Sequence, residues 1–196
     1  MTELWQRSSR EIYRNRWLGL REDEVEYPDG STALYTVLER PDFATIVPWD
    51  GGGFWLVQQY RYPVGGREWE FPQGSWPVGC SGTAADLAVL ELAEETGLSA
   101  RSWTHLGRLW TGYALSTQAF DVFLATELTA GQPSRELTEQ DMVHKWFAEA
   151  EVRAMIRDGR LRDVHTIAAL TLYDLGQSTP PAHPGFAPLG PAPAPP

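Results

Sequence analysis

The segment Glu70-Phe71-Pro72-Gln73-Gly74, followed after a short loop by Thr83-Ala84-Ala85-Asp86-Leu87-Ala88-Val89-Leu90-Glu91-Leu92-Ala93-Glu94-Glu95-Thr96-Gly97, decides how this chain folds. Pro72 and Gly74 mark a strand end running into a loop. The run from Thr83 to Gly97 predicts a helix. Thr83 is a residue type that caps helix N-termini, Ala, Leu and Glu fill the interior, and Gly97 suits the left-handed residue that closes a helix. At about 3.6 residues per turn, Glu91 and Glu95 stand one turn apart with Glu94 beside them, so these carboxylates share a face. Ala85, Val89 and Leu92 are expected on a roughly opposite face, packed on a sheet. Like charges one turn apart destabilise a bare helix by a few tenths of a kcal/mol. Two arrangements relieve this: a solvated acidic face, or a hard divalent cation such as Mg²⁺ or Mn²⁺ held by carboxylate oxygens.

Outward from this segment the pattern is strand-rich on both sides. Residues 11–27 and 31–40 are rich in β-formers and flank Pro28-Asp29-Gly30, which predicts a hairpin. FATIVPWD and FWLVQQYRYP flank Gly51-Gly52-Gly53, where a loose hairpin loop is expected. Strands return at about RSWTHLGRLW and QAFDVFLATEL. A second helix is expected over 148–158 with Gly159 as its stop, and a third from an Asp163 N-cap to Gly176. The order predicts an α/β fold with a mixed sheet flanked by helices, rather than a regular βαβ repeat.

Residues 177–196 hold 8 of the 15 prolines and predict a flexible or polyproline tail, distinct from a strand-rich region at 1–42 and a main domain at 43–176. With 16 basic and 26 acidic residues, the net charge of −10 argues against DNA and anionic membranes as partners. It leaves phosphate substrates open, because a divalent cation inverts the local charge. The single cysteine, Cys80, excludes an intramolecular disulfide and a Cys-only zinc site. No pair among His105, His144, His165 and His183 has metal-ligand spacing. The N-terminus lacks an apolar signal segment and no run approaches membrane-span length, so a cytoplasmic location is expected.

Leu90-Glu91-Leu92-Ala93-Glu94-Glu95-Thr96-Gly97-Leu98 resembles the closing half of the Nudix hydrolase box, Arg-Glu-U-x-Glu-Glu-x-Gly-U with U aliphatic. Every specified position matches except the Arg, which is Leu90. Counting back, the box's first Glu falls on Gly82 and its opening Gly on Trp76, while Gly74 stands two residues earlier. Arg101 and Arg108 are cations that could replace the missing Arg. QQYRYP and REWEFPQG look like sheet strands of the ADP-ribose and nucleotide-sugar pyrophosphatases in this family, and RDGRLRDVHTIAAL resembles their C-terminal helical region. The PQG segment also resembles the dinucleoside-polyphosphate hydrolases.

The resemblance implies a Nudix-type α/β/α sandwich, a homodimer assembled through the N-terminal region, and metal-dependent hydrolysis of a nucleoside diphosphate derivative. It implies Glu91, Glu94 and Glu95 as metal ligands, with the Gln73 backbone carbonyl as a further ligand and Glu94 and Glu95 in catalysis. The late acidic run ELTEQD offers Glu136, Glu139 and Asp141 as a general base, with Glu139 preferred. Arg61 is placed for a substrate phosphate or an ordinary salt bridge, and Glu70 for substrate or loop contact. Trp5, Trp17 and Trp69 are the tryptophans to examine as base-stacking platforms. The missing Arg and loop Glu leave a catalytically weak nucleotide-binding or scaffold module as the alternative.

Overall fold

Helix α1 (Ala84–Thr96) is bounded by the residues that its sequence nominates. Thr83 Oγ1 accepts from the Asp86 N–H at 3.1 Å, and Asp86 Oδ2 accepts from the Thr83 N–H at 3.0 Å, a reciprocal capping box. Gly97 closes the helix with φ 73° and donates its N–H to the Ala93 carbonyl at 2.9 Å. These features come from a computed structural model, which describes residues 4–77, 79–135 and 141–177. The expected tail therefore lies outside the described residues beyond Gln177.

The helix packs on a four-stranded mixed sheet, order β7-β4-β9-β8, made of β7 (Gln73–Gly74), β4 (Phe43–Pro48), β9 (Ala119–Ala130) and β8 (Leu98–Trp110). Strands β4 and β9 run parallel and the other pairs antiparallel. All six residues of β4 are buried, as a strand covered on both faces requires. Its side chains alternate: Ala44 and Ile46 meet Leu87, Ala88 and Leu92 of α1, while Phe43 and Val47 join the core beneath α2 (Glu149–Arg157) and α3 (Val164–Gln177). A second sheet, order β10-β5-β6, contains β10 (Val143–Ala148), β5 (Gly53–Arg61) and β6 (Gly66–Glu70). The result is an α/β/α sandwich. The strands β1 (Trp5–Arg14), β2 (Gly19–Glu26) and β3 (Thr32–Glu39) form a separate antiparallel sheet before it.

Three readings need correction. Ala85 and Val89 are exposed; α1 packs through Leu87, Ala88 and Leu92, and Glu91 and Glu95 are buried beside that face rather than opposite it. Strands β4 and β5 do not form a hairpin ladder, although the turn between them is tight, with the Asp50 N–H on the Gly53 carbonyl at 3.0 Å. Each strand has two edges, and those of β4 are taken by β9 and β7, those of β5 by β10 and β6. Residues 11–27 contain a turn of their own, where Asn15 Oδ1 accepts from the N–H groups of Trp17 at 2.7 Å and Leu18 at 2.9 Å. The Pro28-Asp29-Gly30 turn joins β2 to β3 as expected.

A Cβ added at Gly97 would lie 2.7 Å from the backbone of Gln132 and Pro133, in a left-handed conformation that side chains disfavour. Gly97→Ala is expected to cost about 2 kcal/mol in chemical denaturation, with the m-value unchanged.

Candidate active site

The acidic helix meets the 70–74 loop backbone to carboxylate. The Gln73 N–H donates to Glu95 Oε2 at 3.1 Å. Gly74 lies so close to Glu91 that any Cβ would overlap the Glu91 carboxylate. Glu95 is 1 % exposed and Glu91 8 % exposed, so both carboxylates are held inside rather than on a solvated face. Glu91 and Glu94 line a cavity of about 1460 Å³, with Glu95 behind them at the Gln73 amide.

The opposite wall is built by β5 and β6. Arg61 donates to Glu70 at 2.5 Å through Nη2 and 3.3 Å through Nε, and Gln59 Nε2 donates to the same carboxylate at 3.0 Å. Arg61 therefore makes the salt bridge, and it does so on the cavity wall. Burial raises the Glu70 pKa above its ordinary value, with Arg61 opposing the shift. Glu70 also accepts from Gln73 Nε2 at 3.1 Å, which joins this wall to the loop.

Helix α3 closes the third side. Asp163 Oδ2 accepts from the Thr166 N–H at 2.8 Å, as the expected N-cap, and from Thr166 Oγ1 at 2.7 Å. Asp163 Oδ1 is 3.1 Å from His165 Nδ1, and the His165 ring stands edge-on to Phe43 and Phe120. Burial pushes the Asp163 pKa up, but hydrogen bonds from His165 and Thr166 outweigh it and bring it to about 2.

The cavity residues missed by the sequence reading include Arg16 and Arg40. Arg16 lines the cavity from the turn between β1 and β2 and Arg40 from just past β3, and neither is ion-paired to a carboxylate among the described residues. Arg16 stacks its guanidinium 4.5 Å from the Trp17 ring centroid. Arg16 sits in the turn held by Asn15, which the sequence reading did not identify. Of the three tryptophans singled out, Trp17 lines the cavity, Trp69 packs edge-on to Phe147 at 4.8 Å, and Trp5 lies exposed on β1.

The late acidic run lies partly beyond the description. Glu136 and Glu139 fall outside the described residues, while Asp141 is ion-paired to Arg67 at 2.5 Å. Neither proposed replacement for the box Arg reaches α1: Arg101 pairs with Glu127, and Arg108 bridges Asp42 and Asp121. Arg135 does reach it, donating to the Glu95 backbone carbonyl at 3.0 Å. The other two box departures touch each other. Trp76 covers Gly82 so closely that a Cβ there would lie 2.6 Å from the indole.

Among the described residues no three His, Cys, Asp or Glu side chains already converge into a metal cage. The donor set nevertheless fits a hard cation of the Mg²⁺ class, which takes one or two carboxylates and completes its shell with water and substrate phosphates. Glu91 and Glu94 on the cavity wall supply such carboxylates.

Comparison with known proteins gives the family. Residues 39–170 match the NUDIX domain model, and residues 6–38 match the nucleoside diphosphate sugar hydrolase N-terminal domain. The chain belongs to the Nudix family and is a Nudix pyrophosphohydrolase. It is 34% identical over 166 residues to an ADP-ribose pyrophosphatase of Mycobacterium tuberculosis, covering 83% of this chain and 79% of that protein. It is 28% identical over 170 residues to an ADP-ribose pyrophosphatase of Bacillus subtilis, covering 86% of this chain and 91% of that protein. A crystal structure of an ADP compounds hydrolase superposes with a TM-score of 0.78 at 19% identity, covering 90% of this chain and 96% of that one, a likeness of fold. No helix among the described residues is long and apolar enough to cross a membrane.

A carboxylate with a depressed pKa stabilises the folded protein above its ordinary 3.8, and the contribution is lost as pH falls through about 2. The stability difference between the parent and the non-titrating Asp163→Asn variant should therefore shrink, by about 2 kcal/mol, between pH ~4 and ~2. Urea titrations at stepped pH measure it.

Proposed function

We propose that this chain hydrolyses the diphosphate linkage of ADP-ribose or a related nucleotide sugar, using Mg²⁺ or Mn²⁺. The observation that carries the reading is the buried Glu91/Glu95 pair clasped by the 70–74 loop, with Glu91 and Glu94 on the wall of one large cavity. The names of the two bacterial relatives support the substrate class. In the reaction a water oxygen bonds to one phosphorus and the bridging P–O bond breaks. The products are a nucleoside monophosphate and the phosphorylated second moiety.

Glu91, Glu94 and Glu95 are the proposed metal-holding residues, with the Gln73 carbonyl as a further oxygen donor. A divalent cation bound there neutralises phosphate charge and lowers the pKa of a coordinated water. Arg61, with Arg16 and Arg40 across the cavity, is proposed to bind the diphosphate. Glu70 holds Arg61 and Gln73 in place and faces the substrate. Glu139 is proposed as the general base that takes the water's proton. A homodimer through the N-terminal sheet is supported by β1, which is exposed along its whole length and displays Trp5, Ile12 and Tyr13.

The test is product release from ADP-ribose, nucleotide sugars, diadenosine polyphosphates and NADH, with Mg²⁺, Mn²⁺ or EDTA. The expected outcome is metal-dependent cleavage of ADP-ribose or a nucleotide sugar. Removing residues that merely support a metal ligand costs about 10–100-fold, so Glu95→Gln should lose more than ~100-fold in kcat. Diadenosine tetraphosphate as the preferred substrate would move the reading to the dinucleoside-polyphosphate class. Binding without turnover across the panel would establish the weak binding module suggested by Leu90 and Gly82.

A further inference from the structure

We propose that Asp163 and Thr166, at the N-terminus of α3, are positioning residues that lock the 70–74 loop so that the Gln73 amide meets Glu95. The inference rests on the metal-dependent reading of the Glu91/Glu94/Glu95 face and extends it to residues about 70 positions away in sequence.

The connection is a closed set of hydrogen bonds. Gln73 Nε2 donates to Glu70 Oε2 at 3.1 Å and to Asp163 Oδ2 at 3.3 Å, while Gln73 Oε1 accepts from Thr45 Oγ1 at 3.3 Å. Both amide hydrogens thus face carboxylates. A flipped amide would aim its oxygen at those same carboxylates, so only one orientation is favourable. Thr166 works on the next residue but one. Its hydroxyl donates to Asp163 Oδ2 at 2.7 Å and accepts the Phe71 N–H at 2.8 Å. Thr166 is fully buried, so no water can replace that acceptor without rearrangement. Besides the Ile46 N–H on the Pro72 carbonyl at 2.9 Å, the loop is therefore held at Phe71 through its backbone and at Gln73 through its side chain. The remaining Gln73 donor, its backbone N–H, is delivered to Glu95 Oε2 at 3.1 Å.

A simple helix-capping role makes a different prediction. Ser caps a helix about as well as Asp or Asn, but its side chain is one bond shorter, so an oxygen that keeps the 2.8 Å cap draws back from Gln73, which is already 3.3 Å away. Asp163→Ser therefore removes the loop contact while keeping the cap. Asp163→Asn keeps both the reach and an acceptor oxygen. Thr166→Val removes the hydroxyl at nearly constant shape, and Thr166→Ser restores it.

Three readouts are taken on the full chain: amide hydrogen exchange at residues 70–74 in metal-free protein, Mn²⁺ affinity of substrate-free protein by electron paramagnetic resonance, and kcat and KM separately. Asp163→Ser and Thr166→Val are expected to speed exchange at 70–74 and to weaken Mn²⁺ binding by about 10-fold or more. They should lower kcat by a similar factor, with KM within about 3-fold. Asp163→Asn and Thr166→Ser should recover most of each loss. The proposal is overturned if Asp163→Ser lowers only the melting temperature, leaving exchange and Mn²⁺ affinity at parental values. It is equally overturned if the conservative variants are as damaged as the disruptive ones. A parent that neither binds Mn²⁺ nor turns over would sink the metal reading, while the exchange data would still decide the loop-locking role.

Discussion

The hydrogen bond from the Gln73 N–H to Glu95 ties together the parts of this molecule that matter for function. Glu95 belongs to α1, which is capped at both ends and fixed to the sheet by Leu87, Ala88 and Leu92. Gln73 belongs to β7, a two-residue strand paired only with β4 at the sheet edge. So short a strand has a short ladder, two register pairs with β4 and the Ile46 N–H on the Pro72 carbonyl at 2.9 Å. Side chains add to it: Glu70 on one side, Asp163 and Thr166 on the other, and Glu95 beneath. Burying carboxylates costs free energy unless they are hydrogen-bonded or paired. The loop supplies donors to Glu70 and Glu95 at once, so the clasp that positions the loop also makes the burial of both acids tolerable.

Charge distribution follows from the same arrangement. A chain with net charge −10 repels an anionic substrate at long range. Within the cavity, however, Arg16, Arg40, Arg61 and Arg162 stand among the carboxylates. Arg61 and Arg162 are committed to Glu70 and Glu68, whereas Arg16 and Arg40 have no carboxylate partner among the described residues. The lining of the cavity thus joins cationic groups near the N-terminal sheet to carboxylates of the acidic helix. Residues next to the N-terminal sheet are therefore part of the cavity's lining.

The sequence made the local structure legible and the long-range partners much less so. Thr83, Gly97, Gly159 and Asp163 each mark a helix end through a one-residue chemical signal, and all four serve there. The hairpin at Pro28-Asp29-Gly30 is equally local. Which strand pairs with which is not local: the short turn after β4 suggests a hairpin, and only competition for strand edges sends β4 and β5 into different sheets. The helix face was misjudged for a related reason. Wheel position separates charged from apolar residues, but a buried loop amide beside Glu95 makes a carboxylate a buried residue, and no periodicity shows that amide. Arg16, Arg40 and Thr166 carry no motif at all. Their relevance lies in what they approach across the fold.

The box departures bear on how a Nudix site is held when its usual charged supports are absent. In sequence, Trp76 and Gly82 look like two separate losses. In space they are one contact, because the indole occupies the room that a side chain at position 82 would need. The loop before α1 is thereby closed by packing instead of by a carboxylate. Leu90 removes a cation from the acidic helix, yet Glu95 is met by a backbone N–H and Glu91 by the bare backbone of Gly74. A neutral donor orients a carboxylate without cancelling its charge, whereas a guanidinium does both. Support of this kind works only while the loop backbone stays in register. The geometry of the acidic face therefore depends on the rigidity of residues 70–74, and so on the side chains that pin them.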